Sequence, residues 1–297
     1  MSSLSYIERN RGVVTASKLK TFIKSPEAYF KQYIQEVSID KETSRAFTLG
    51  TAFDDALSYG AIEWNKKYFV DDGLTVAELV EKCFSIGIAP TGKEKKDELL
   101  RMAYGDIDSK IRLTASEGES IRGMLSEATR QPLWDIHGDY EKQAVIEGMY
   151  KWKLKLRGTL DRLSTEKGMI RDWKTTSALR NFTFELSGKY GYEISMAFYY
   201  ALVKMIRGVD CDVYLDVVQS SWVYQSEVFC YQKERMHTVL IDTIIPALDK
   251  LLEMTTQWEE TKDESIWKVQ PANRYELFDL ETYPILETGL QQTISYI

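Results

Sequence analysis

At Tyr140 the spacing of the apolar residues along the chain changes from about 3.6 residues to two. Upstream of this point, the stretches 15–35 and 47–68 repeat their apolar residues at helical spacing, and Pro26 breaks the first of them. The stretch 75–130 is more polar but keeps the helical pattern, interrupted around 89–92 by a loop that contains Pro and Gly. We therefore predict a first half that is mostly α-helical.

Downstream of Tyr140, apolar and polar residues alternate in short runs that are typical of β-strands. Three runs follow closely and predict an antiparallel meander, and two further runs lie between two apolar helices. The predicted strands are 140–150, 153–164, 169–175, 212–219 and 222–231, and the helices are 189–206 and 232–258. This order predicts an α/β (α+β) domain with a central mixed β-sheet flanked by helices, preceded by a helical N-terminal region.

Composition excludes several classes of protein. The 297 residues are 44% hydrophobic and 28% charged, as in ordinary globular domains, which excludes disordered and fibrous chains. No run reaches the roughly 18 apolar residues of a membrane-spanning helix, and the first residues lack the apolar segment of a secretory signal. We therefore expect a soluble, cytoplasmic protein without a membrane partner.

The cysteines and the glycine-containing motifs narrow the chemistry further. Cys83, Cys211 and Cys230 lie far apart and without CxxC spacing, so they support neither a disulfide framework nor a four-cysteine iron–sulfur site. The chain contains no Walker A loop, GxGxxG turn or GxSxG elbow. ATP hydrolysis, dinucleotide chemistry and serine hydrolysis are therefore disfavoured.

The charge is unevenly distributed along the chain. The net charge is −7, which by itself argues against a polyanionic partner. Residues 1–34 nevertheless carry +4 and residues 142–180 carry +6, so that the remaining residues carry −17. This segregation is compatible with a confined surface that binds nucleic acid, although a solvated charged face is the alternative for either basic segment.

The segment 157–176, RGTLDRLSTEKGMIRDWKTT, brings three chemically active residues together. Its EKG sequence predicts a tight turn between two strands. With this turn centred between the glutamate and the lysine, antiparallel pairing places Asp161 directly opposite Asp172. Lys174 shares their face of the sheet, because side chains alternate along a strand. We therefore expect two carboxylates and an amine on one face.

Two adjacent carboxylates repel each other unless one is protonated or a cation lies between them. Because Mg²⁺ prefers oxygen ligands and keeps several waters, Asp161 and Asp172 predict a magnesium site beside Lys174. Such a site can hydrolyse a phosphodiester by polarising the phosphorus, activating water and neutralising the charge that develops. The alternative is a hairpin with solvent-exposed Asp–Lys pairs, and a one-residue slip in register would separate the carboxylates.

The motifs around this segment resemble those of the PD-(D/E)xK nucleases, in the RecB-like branch that includes phage recombination exonucleases of the RecE and lambda type. GTLDRL and IRDWKTT are similar to its G-x-x-D and D-x-K strands. TASKLKTFIKSPEAYFKQYI resembles its N-terminal Ser…Phe…Pro…Tyr helix, and LGTAFDDAL resembles its G-x-x-x-H motif. GYEISMAFYY resembles its Tyr-x-x-Gln-x-x-x-Tyr helix. The resemblance extends from about Thr15 to Tyr231.

This resemblance implies a restriction-endonuclease-like core in which Asp161 and Asp172 bind the metal and Lys174 is the catalytic lysine. Asp54 stands where the motif has its histidine and is a third candidate metal ligand, with the adjacent Asp55 as the alternative. Glu141 on the preceding strand is a further candidate ligand, or else an exposed strand glutamate. The implied cofactor is Mg²⁺, for which Mn²⁺ can substitute.

The resemblance also suggests residues that contact DNA. The last motif has serine in place of its glutamine and keeps both tyrosines, Tyr192 and Tyr199. The candidate DNA-binding residues are Tyr192, Ser195, Lys20, Arg162 and Arg180. Further candidate cations are Lys18, Lys24, Arg157 and Arg171, and solvated surface is the alternative for each. Some relatives carry an iron–sulfur cluster, but Ser25 occupies the position of one of its cysteines, so no cluster is expected.

The implied function is hydrolysis of DNA by an exonuclease that resects double-stranded ends for recombination or repair. A structure-dependent or single-strand endonuclease is the alternative within the enzyme class, and a catalytically inactive module that binds DNA or protein is the alternative outside it. A single-strand annealing protein as partner, a homo-oligomer and a phage origin are further expectations from the family. We divide the chain into a helical part of the nuclease domain (1–135), the core (136–260) and an acidic tail (261–297).

Overall fold

A mixed six-stranded β-sheet forms the centre of the protein, whose computed structural model describes residues 12–37, 44–182, 191–221 and 223–268. The strands within these ranges are β1 (Val13–Val14), β2 (Tyr68–Asp71), β3 (Ile111–Thr114), β4 (Glu141–Tyr150), β5 (Leu154–Ser164), β6 (Met169–Thr176), β7 (Asp212–Gln219) and β8 (Ser226–Tyr231). β2 and β3 pair in parallel as a separate small sheet, and the other six strands form the central one.

The central sheet leaves part of one strand edge open. β4, β5 and β6 form the predicted antiparallel meander, β6 continues in parallel to β7, and β7 pairs antiparallel with β8. β1 pairs in parallel with β5 at residues 155–156, and β6 pairs with β5 at residues 162–164. Because β4 occupies the whole opposite edge of β5, β1 and β6 share one edge. No ladder pair in the described structure covers residues 157–161 of that edge.

Helices cover both faces of the sheet. They are α1 (Ala16–Lys24), α2 (Pro26–Tyr29), α3 (Arg45–Lys67), α4 (Val76–Ser85), α5 (Lys96–Tyr104), α6 (Ala115–Arg130), α7 (Tyr192–Arg207), α8 (Lys233–Val239) and α9 (Ile245–Thr261). On one face, α1, α7, α8 and α9 pack in the main hydrophobic core with Leu160 and Ile170. On the other face, α3 and α6 pack against Trp173 and Val218. The predicted restriction-endonuclease-like class, a mixed sheet flanked by helices, is confirmed.

The start of the chain follows local capping signals. Thr15 Oγ1 accepts a hydrogen bond from the Lys18 N–H (3.4 Å) and caps α1. Ser25 Oγ accepts one from the Ala28 N–H (3.2 Å) and caps α2, in which Pro26 holds the first position. The predicted break at Pro26 is therefore a point where one helix ends and the next begins.

The small β2–β3 sheet is a feature that the sequence analysis missed. The helical pattern over 75–130, interrupted by a loop around 89–92, predicts no strand, but β3 lies within this stretch, between α5 and α6. Each of the two strands has four residues and directly adjoins a helix, so neither shows a detectable alternation of its own. Phe69 of β2 packs with Leu79 and Leu99 in a separate hydrophobic cluster.

The predicted tail begins inside the core. Residues Glu264–Trp267 form a short 3-10 helix, and the fully buried Trp267 ring stacks on Phe30 with 5.0 Å between ring centroids. These first residues of the predicted tail therefore pack against the core. The rest of the predicted tail, from 269, lies outside the described residues, as do residues 189 and 190 of the predicted helix 189–206. In the described part of the chain, no helix is both long and apolar enough to span a membrane.

Candidate active site

A cavity of about 550 Å³ lies at the unpaired stretch of β5. Residues 157–159 of β5 form one wall, and Asp172 and Lys174 of β6 form the next. The remaining walls come from the first residues of α1, from α7 and from Phe47 at the start of α3. The gap between β1 and β6 along the edge of β5 thus provides an opening that two of the predicted catalytic residues, Asp172 and Lys174, line.

The predicted pairing of the two aspartate strands is correct. Arg162 pairs with Arg171, and the two following pairs keep the same register, which brings Asp161 opposite Asp172. The ladder ends there, because Asp161 Oδ2 accepts a hydrogen bond from the main-chain N–H of Trp173 (2.8 Å). The strands separate from this point onward, and the two carboxylates stand where they separate.

Lys174 supplies a positive charge between these carboxylates. Its ammonium group donates hydrogen bonds to Asp172 Oδ2 and to the Trp173 carbonyl oxygen (3.0 Å). Burial by itself would lower the pKa of Lys174, but the charges of Asp172 and Asp161 outweigh burial and raise it. The lysine is therefore held as a cation, suited to contact an anion or a polarised water.

The structure distinguishes Asp54 from Asp55. The charge of Asp172 raises the pKa of Asp54 and that of Lys174 lowers it, and Asp54 accepts a hydrogen bond from Ser58 Oγ (3.2 Å). Asp55 instead accepts hydrogen bonds from the Lys67 ammonium and the Tyr68 hydroxyl, each at 2.5 Å. Of the two, Asp54 therefore lies in the electrostatic surroundings of Asp172 and Lys174, whereas Asp55 is bound by the last residue of α3 and the first residue of β2.

Two glycines of the motifs allow helices to approach the site closely. A Cβ on Gly50 would lie 2.9 Å from Thr175 Oγ1 of β6, so this glycine lets α3 approach β6 one turn before Asp54. A Cβ on Gly158 would lie 2.9 Å from Leu202 Cδ1 of α7. Both distances are shorter than ordinary contacts of a Cβ atom, so a larger residue at either position would require its neighbour to move.

Burial and neighbouring negative charge raise the pKa of two of the carboxyl groups. Burial, followed by the charge of Asp172, raises the pKa of Asp54 to about 6. Burial, followed by the charges of Asp172 and Asp54, also raises the pKa of Asp161. A divalent cation bound by these carboxylates would reduce the repulsion between them.

The carboxylate side chains of this site are chemically suited to bind a divalent metal ion. Within the described ranges, no three His, Cys, Asp or Glu side chains form a ready-made group that could hold an ion. Mg²⁺, however, is bound through one or two protein carboxylates, with waters and substrate phosphates completing its shell. Asp161 and Asp172, with Asp54 beside them, provide that number of ligands.

Gln143 is a site residue that the sequence analysis missed. Its Nε2 donates hydrogen bonds to Asp161 Oδ1 (3.3 Å) and to Ser58 Oγ (2.9 Å). It lies on β4 between the pairs Lys142–Arg162 and Ala144–Leu160, and therefore opposite Asp161. Its φ of 50° is unusual for a residue with a side chain, and such strain concentrates at functional sites. Gln143 lies two residues from Glu141 on the same strand, so alternation could have indicated it, but an amide is a weaker signal of a metal site than a carboxylate.

The wall opposite β6 carries three of the predicted DNA-binding residues. Lys20 of α1 and both Tyr192 and Ser195 of α7 line the cavity. The Lys20 and Lys174 ammonium groups lie 6.0 and 5.6 Å from the centre of the Tyr192 ring. Burial, reinforced by the charge of Lys174, lowers the pKa of Lys20 to about 8. These residues form a cationic and aromatic wall close to the carboxylates.

Two predicted residues have other roles, and a third is not brought to the site. Arg162 is fully buried and pairs with Asp216 (2.6 Å), so it is not available to DNA, and neither is Arg171, which binds the same carboxylate. Glu141 is exposed and lies 3.5 Å from Arg207 rather than at the carboxylates.

Arg180 is exposed on the short helix Leu179–Asn181 and is not among the cavity residues. Side chains alternate along a strand, so Arg162 and Arg171 necessarily face away from Asp161 and Asp172. Arg162 and Arg171 were wrongly predicted to contact DNA because the prediction used their positive charge alone and did not consider which face of the sheet their side chains occupy.

Comparisons with known proteins agree with this geometry. The sequence pattern of the family described as "PDDEXK-like domain of unknown function (DUF3799)" matches residues 15–264. Among solved structures, the chain is similar to a crystal structure from Eubacterium rectale named "Putative exonuclease". The two share 13% sequence identity with a TM-score of 0.56, over 84% of this chain and 85% of that one, which shows a common fold. No curated protein matched the sequence.

Proposed function

Because the chain belongs to the PDDEXK-like family, within the PD-(D/E)xK nuclease superfamily, we propose that it is a metal-dependent nuclease that hydrolyses phosphodiester bonds in DNA. The observation that carries this proposal is that Asp172 and Lys174 line one open cavity, with Asp161 opposite Asp172 and with Asp54 within reach of their charges. Three carboxylates and a cation at a cavity with a basic wall suit an anionic substrate whose reaction develops further negative charge.

Asp161 and Asp172 would hold the metal, with Asp54 as a third ligand. Mg²⁺ is the proposed ion, and Mn²⁺ is the proposed substitute. When bound, such an ion polarises the phosphorus, lowers the pKa of a water and stabilises the leaving oxygen.

The protein groups have separate tasks in this reaction. Lys174 is held as a cation by its neighbours, so it orients the attacking water and neutralises charge on the phosphoryl oxygens. Lys20, at the other side of the cavity, binds a phosphate of the same strand. Gln143 fixes the orientation of the Asp161 carboxylate through its hydrogen bond.

We further propose that the enzyme is an exonuclease acting on double-stranded ends. The name "Putative exonuclease" of the protein from Eubacterium rectale, which has a similar fold, is in line with this mode, as is the likeness of the motifs to those of phage recombination exonucleases. A single-strand annealing protein remains the proposed partner. An endonuclease, or a module that binds DNA without cutting it, would be the alternative outcome of the test below.

The test is digestion of linear duplex DNA labelled separately at each 5′ and 3′ end, with Mg²⁺, Mn²⁺ or EDTA, beside covalently closed circular DNA. We expect metal-dependent loss of linear DNA only, and a drop of about a hundredfold or more in Asp172→Asn and Lys174→Ala. Lys167→Ala is the matched control, because Lys167 lies on the same hairpin and pairs with Asp135 at the surface.

Each outcome leads to a definite conclusion. The label released first gives the polarity of an exonuclease. Cutting of the closed circle would establish an endonuclease instead. Retention of DNA binding without cleavage under either metal would contradict the nuclease proposal and establish a binding module.

A further inference from the structure

The turn between β4 and β5 presents an aromatic side chain to solvent. Trp152 lies in this turn with 90% of its surface exposed, more than any other large hydrophobic residue in the described structure. A lysine precedes it and another follows it, at positions 151 and 153. Tryptophan is a large apolar residue that is costly to leave in water, so this exposure indicates a partner.

The backbone of the turn is fixed in an unusual conformation. Lys151 and Trp152 have φ values of 47° and 58°, and the Lys153 N–H donates to the Tyr150 carbonyl oxygen (3.1 Å). Two-residue hairpin turns with a positive φ at both central residues favour glycine and asparagine. A lysine and a tryptophan are therefore placed here against local preference, which is typical of functional sites.

The turn is also held in place by α9. The Tyr150 hydroxyl (2.8 Å) and the Lys151 ammonium (2.5 Å) both donate hydrogen bonds to Asp249 Oδ1. These contacts fix the residues immediately before Trp152. Its ring is thus presented on a supported turn, which reduces the entropy lost when a partner binds.

A row of cations leads from the candidate active site to this turn. Arg157 and Lys155 lie two residues apart on one face of β5, and Arg157 is a wall residue of the cavity. Their spacing of about 6.6 Å, two strand residues, is comparable with that between neighbouring phosphates of an extended single strand. Glu147 on β4 lies within 3.4 Å of both cations. Such exposed ion pairs are weak and can be exchanged for phosphate contacts.

The neighbouring strand offers apolar surface beside these cations. Val145 and Met149 of β4 are 46% and 44% exposed and pair with Thr159 and Lys155 of β5. They share the face of the cation row, on either side of Glu147. Positive charge along one strand and apolar side chains along the next are complementary to the phosphates and bases of a nucleic acid strand.

We propose that this face of the β4–β5 hairpin binds a single DNA strand as it passes the active site, and that Trp152 stacks on one of its bases. The inference rests on the proposed function and deepens it by assigning the path of the substrate. Eight residues separate Lys153 from Asp161, about 26 Å of strand. At two residues for each phosphate, the stacked base lies about four nucleotides from the scissile phosphate.

Binding of fluorescently labelled oligo(dT) of two to twelve nucleotides, measured by anisotropy in EDTA, tests this path. For lengths above about five nucleotides we expect Trp152→Ala to weaken binding by about tenfold and Trp152→Phe to retain most of the affinity. For oligonucleotides of two or three nucleotides we expect Trp152→Ala and the wild type to have the same dissociation constant. Phe84→Ala is the matched control, since Phe84 is an exposed aromatic residue (57%) on α4.

A second pair of variants tests the cation row, because the two substitutions should change the affinity for DNA in opposite directions. Glu147→Gln should tighten binding, because it frees Lys155 and Arg157 from a competing carboxylate. Lys155→Ala should weaken binding and reduce the slope of log K against log salt by about 0.7, the contribution of one phosphate contact on a single strand. Because one change strengthens and the other weakens binding, loss of folding cannot produce both results.

The outcomes separate this proposal from the proposed function. Equal affinity of wild type and Trp152→Ala at every length would overturn the hairpin path, whatever the cleavage assay gives. Loss of affinity in Trp152→Ala with no cleavage by the wild type under either metal would support the strand path and contradict the nuclease. Binding to phosphatidylserine vesicles that depends on Trp152, with DNA binding unaffected, would assign the turn to a membrane surface and overturn the proposal.

Discussion

The carboxylate of Asp161 takes the place of a main-chain acceptor for the N–H of Trp173, at 2.8 Å, where the ladder between β5 and β6 ends. A candidate metal ligand is thereby also part of the sheet. Its loss should affect stability as well as activity, and the two effects can be separated by the choice of substitution.

We expect Asp161→Asn and Asp161→Ala to be equally inactive but to differ in stability. Asparagine keeps an oxygen that can accept from the Trp173 N–H, whereas alanine leaves that group without its partner, at a cost of about 1–3 kcal/mol. Urea unfolding in EDTA measures the difference. Equal unfolding free energies for the two variants would show that this hydrogen bond does not support the sheet.

Metal should stabilise the protein more at pH 8 than at pH 5. The pKa of Asp54 rises from 3.8 to about 6 in the folded protein, chiefly through burial and then through Asp172. The native state therefore holds this proton more tightly than the unfolded state, so its contribution to metal-free stability is full below about pH 4 and lost as the pH rises through 6. Mg²⁺ binds the deprotonated carboxylates and restores stability by mass action.

Thermal unfolding with Mg²⁺ and with EDTA, across pH 4 to 8, measures this effect. In Asp54→Asn, the metal-free decline between pH 4 and 6 should be smaller than in the wild type. A Mg²⁺-induced shift in Tm that is the same at pH 5 and pH 8 would contradict the assignment of Asp54 to the carboxylate set.

Gln143 should act as a positioning residue for Asp161. Gln143→Ala removes the hydrogen bonds to Asp161 and Ser58, and we expect kcat to fall by about tenfold or more with little change in KM for DNA. Gln143→Gly also lacks these bonds but accommodates the φ of 50° without strain, so it should be more stable than the alanine variant and equally slow. A normal kcat in the glycine variant would assign Gln143 a purely conformational role.

Arg162 should matter for stability and not for DNA contact. Its guanidinium and that of Arg171 share the buried carboxylate of Asp216, so Asp216→Ala leaves two buried cations without their partner. Breaking a buried ion pair of this kind costs about 3–5 kcal/mol. Arg162→Met should be milder because it leaves one arginine on Asp216. The DNA affinity of the folded fraction should match that of the wild type, and the salt dependence of binding should be unchanged.

The sequence was sufficient for those parts of the site that depend on local geometry. The register of Asp161 against Asp172 follows from a short turn, and Gly168 in it adopts a φ of 62° that glycine supplies readily. The face of Lys174 then follows from alternation. Long strands and long amphipathic helices were located for the same reason, since each carries its own periodic signal.

The parts that were missed depend on contacts between distant residues. Arg162 owes its burial to Asp216, 54 residues away in the sequence, and nothing in its neighbourhood indicates that partner. The choice of Gln143 over Glu141 depends on a left-handed backbone conformation at one position, which sequence patterns do not specify. Trp267 similarly joins the core through Phe30, far away at the start of the chain.

The alternation of Asp161 with Arg162, and of Arg171 with Asp172, also limits how this hairpin can evolve. A one-residue shift between β5 and β6 would flip the side chains of the strand that moves, so that its arginine would face the cavity and its aspartate an apolar core; this would separate the two carboxylates and damage catalysis and folding together. Selection should therefore act on the length of the turn at 165–168 more strongly than on its composition. In descendants of this gene, we expect substitutions to accumulate there, while insertions and deletions are eliminated unless a bulge absorbs them.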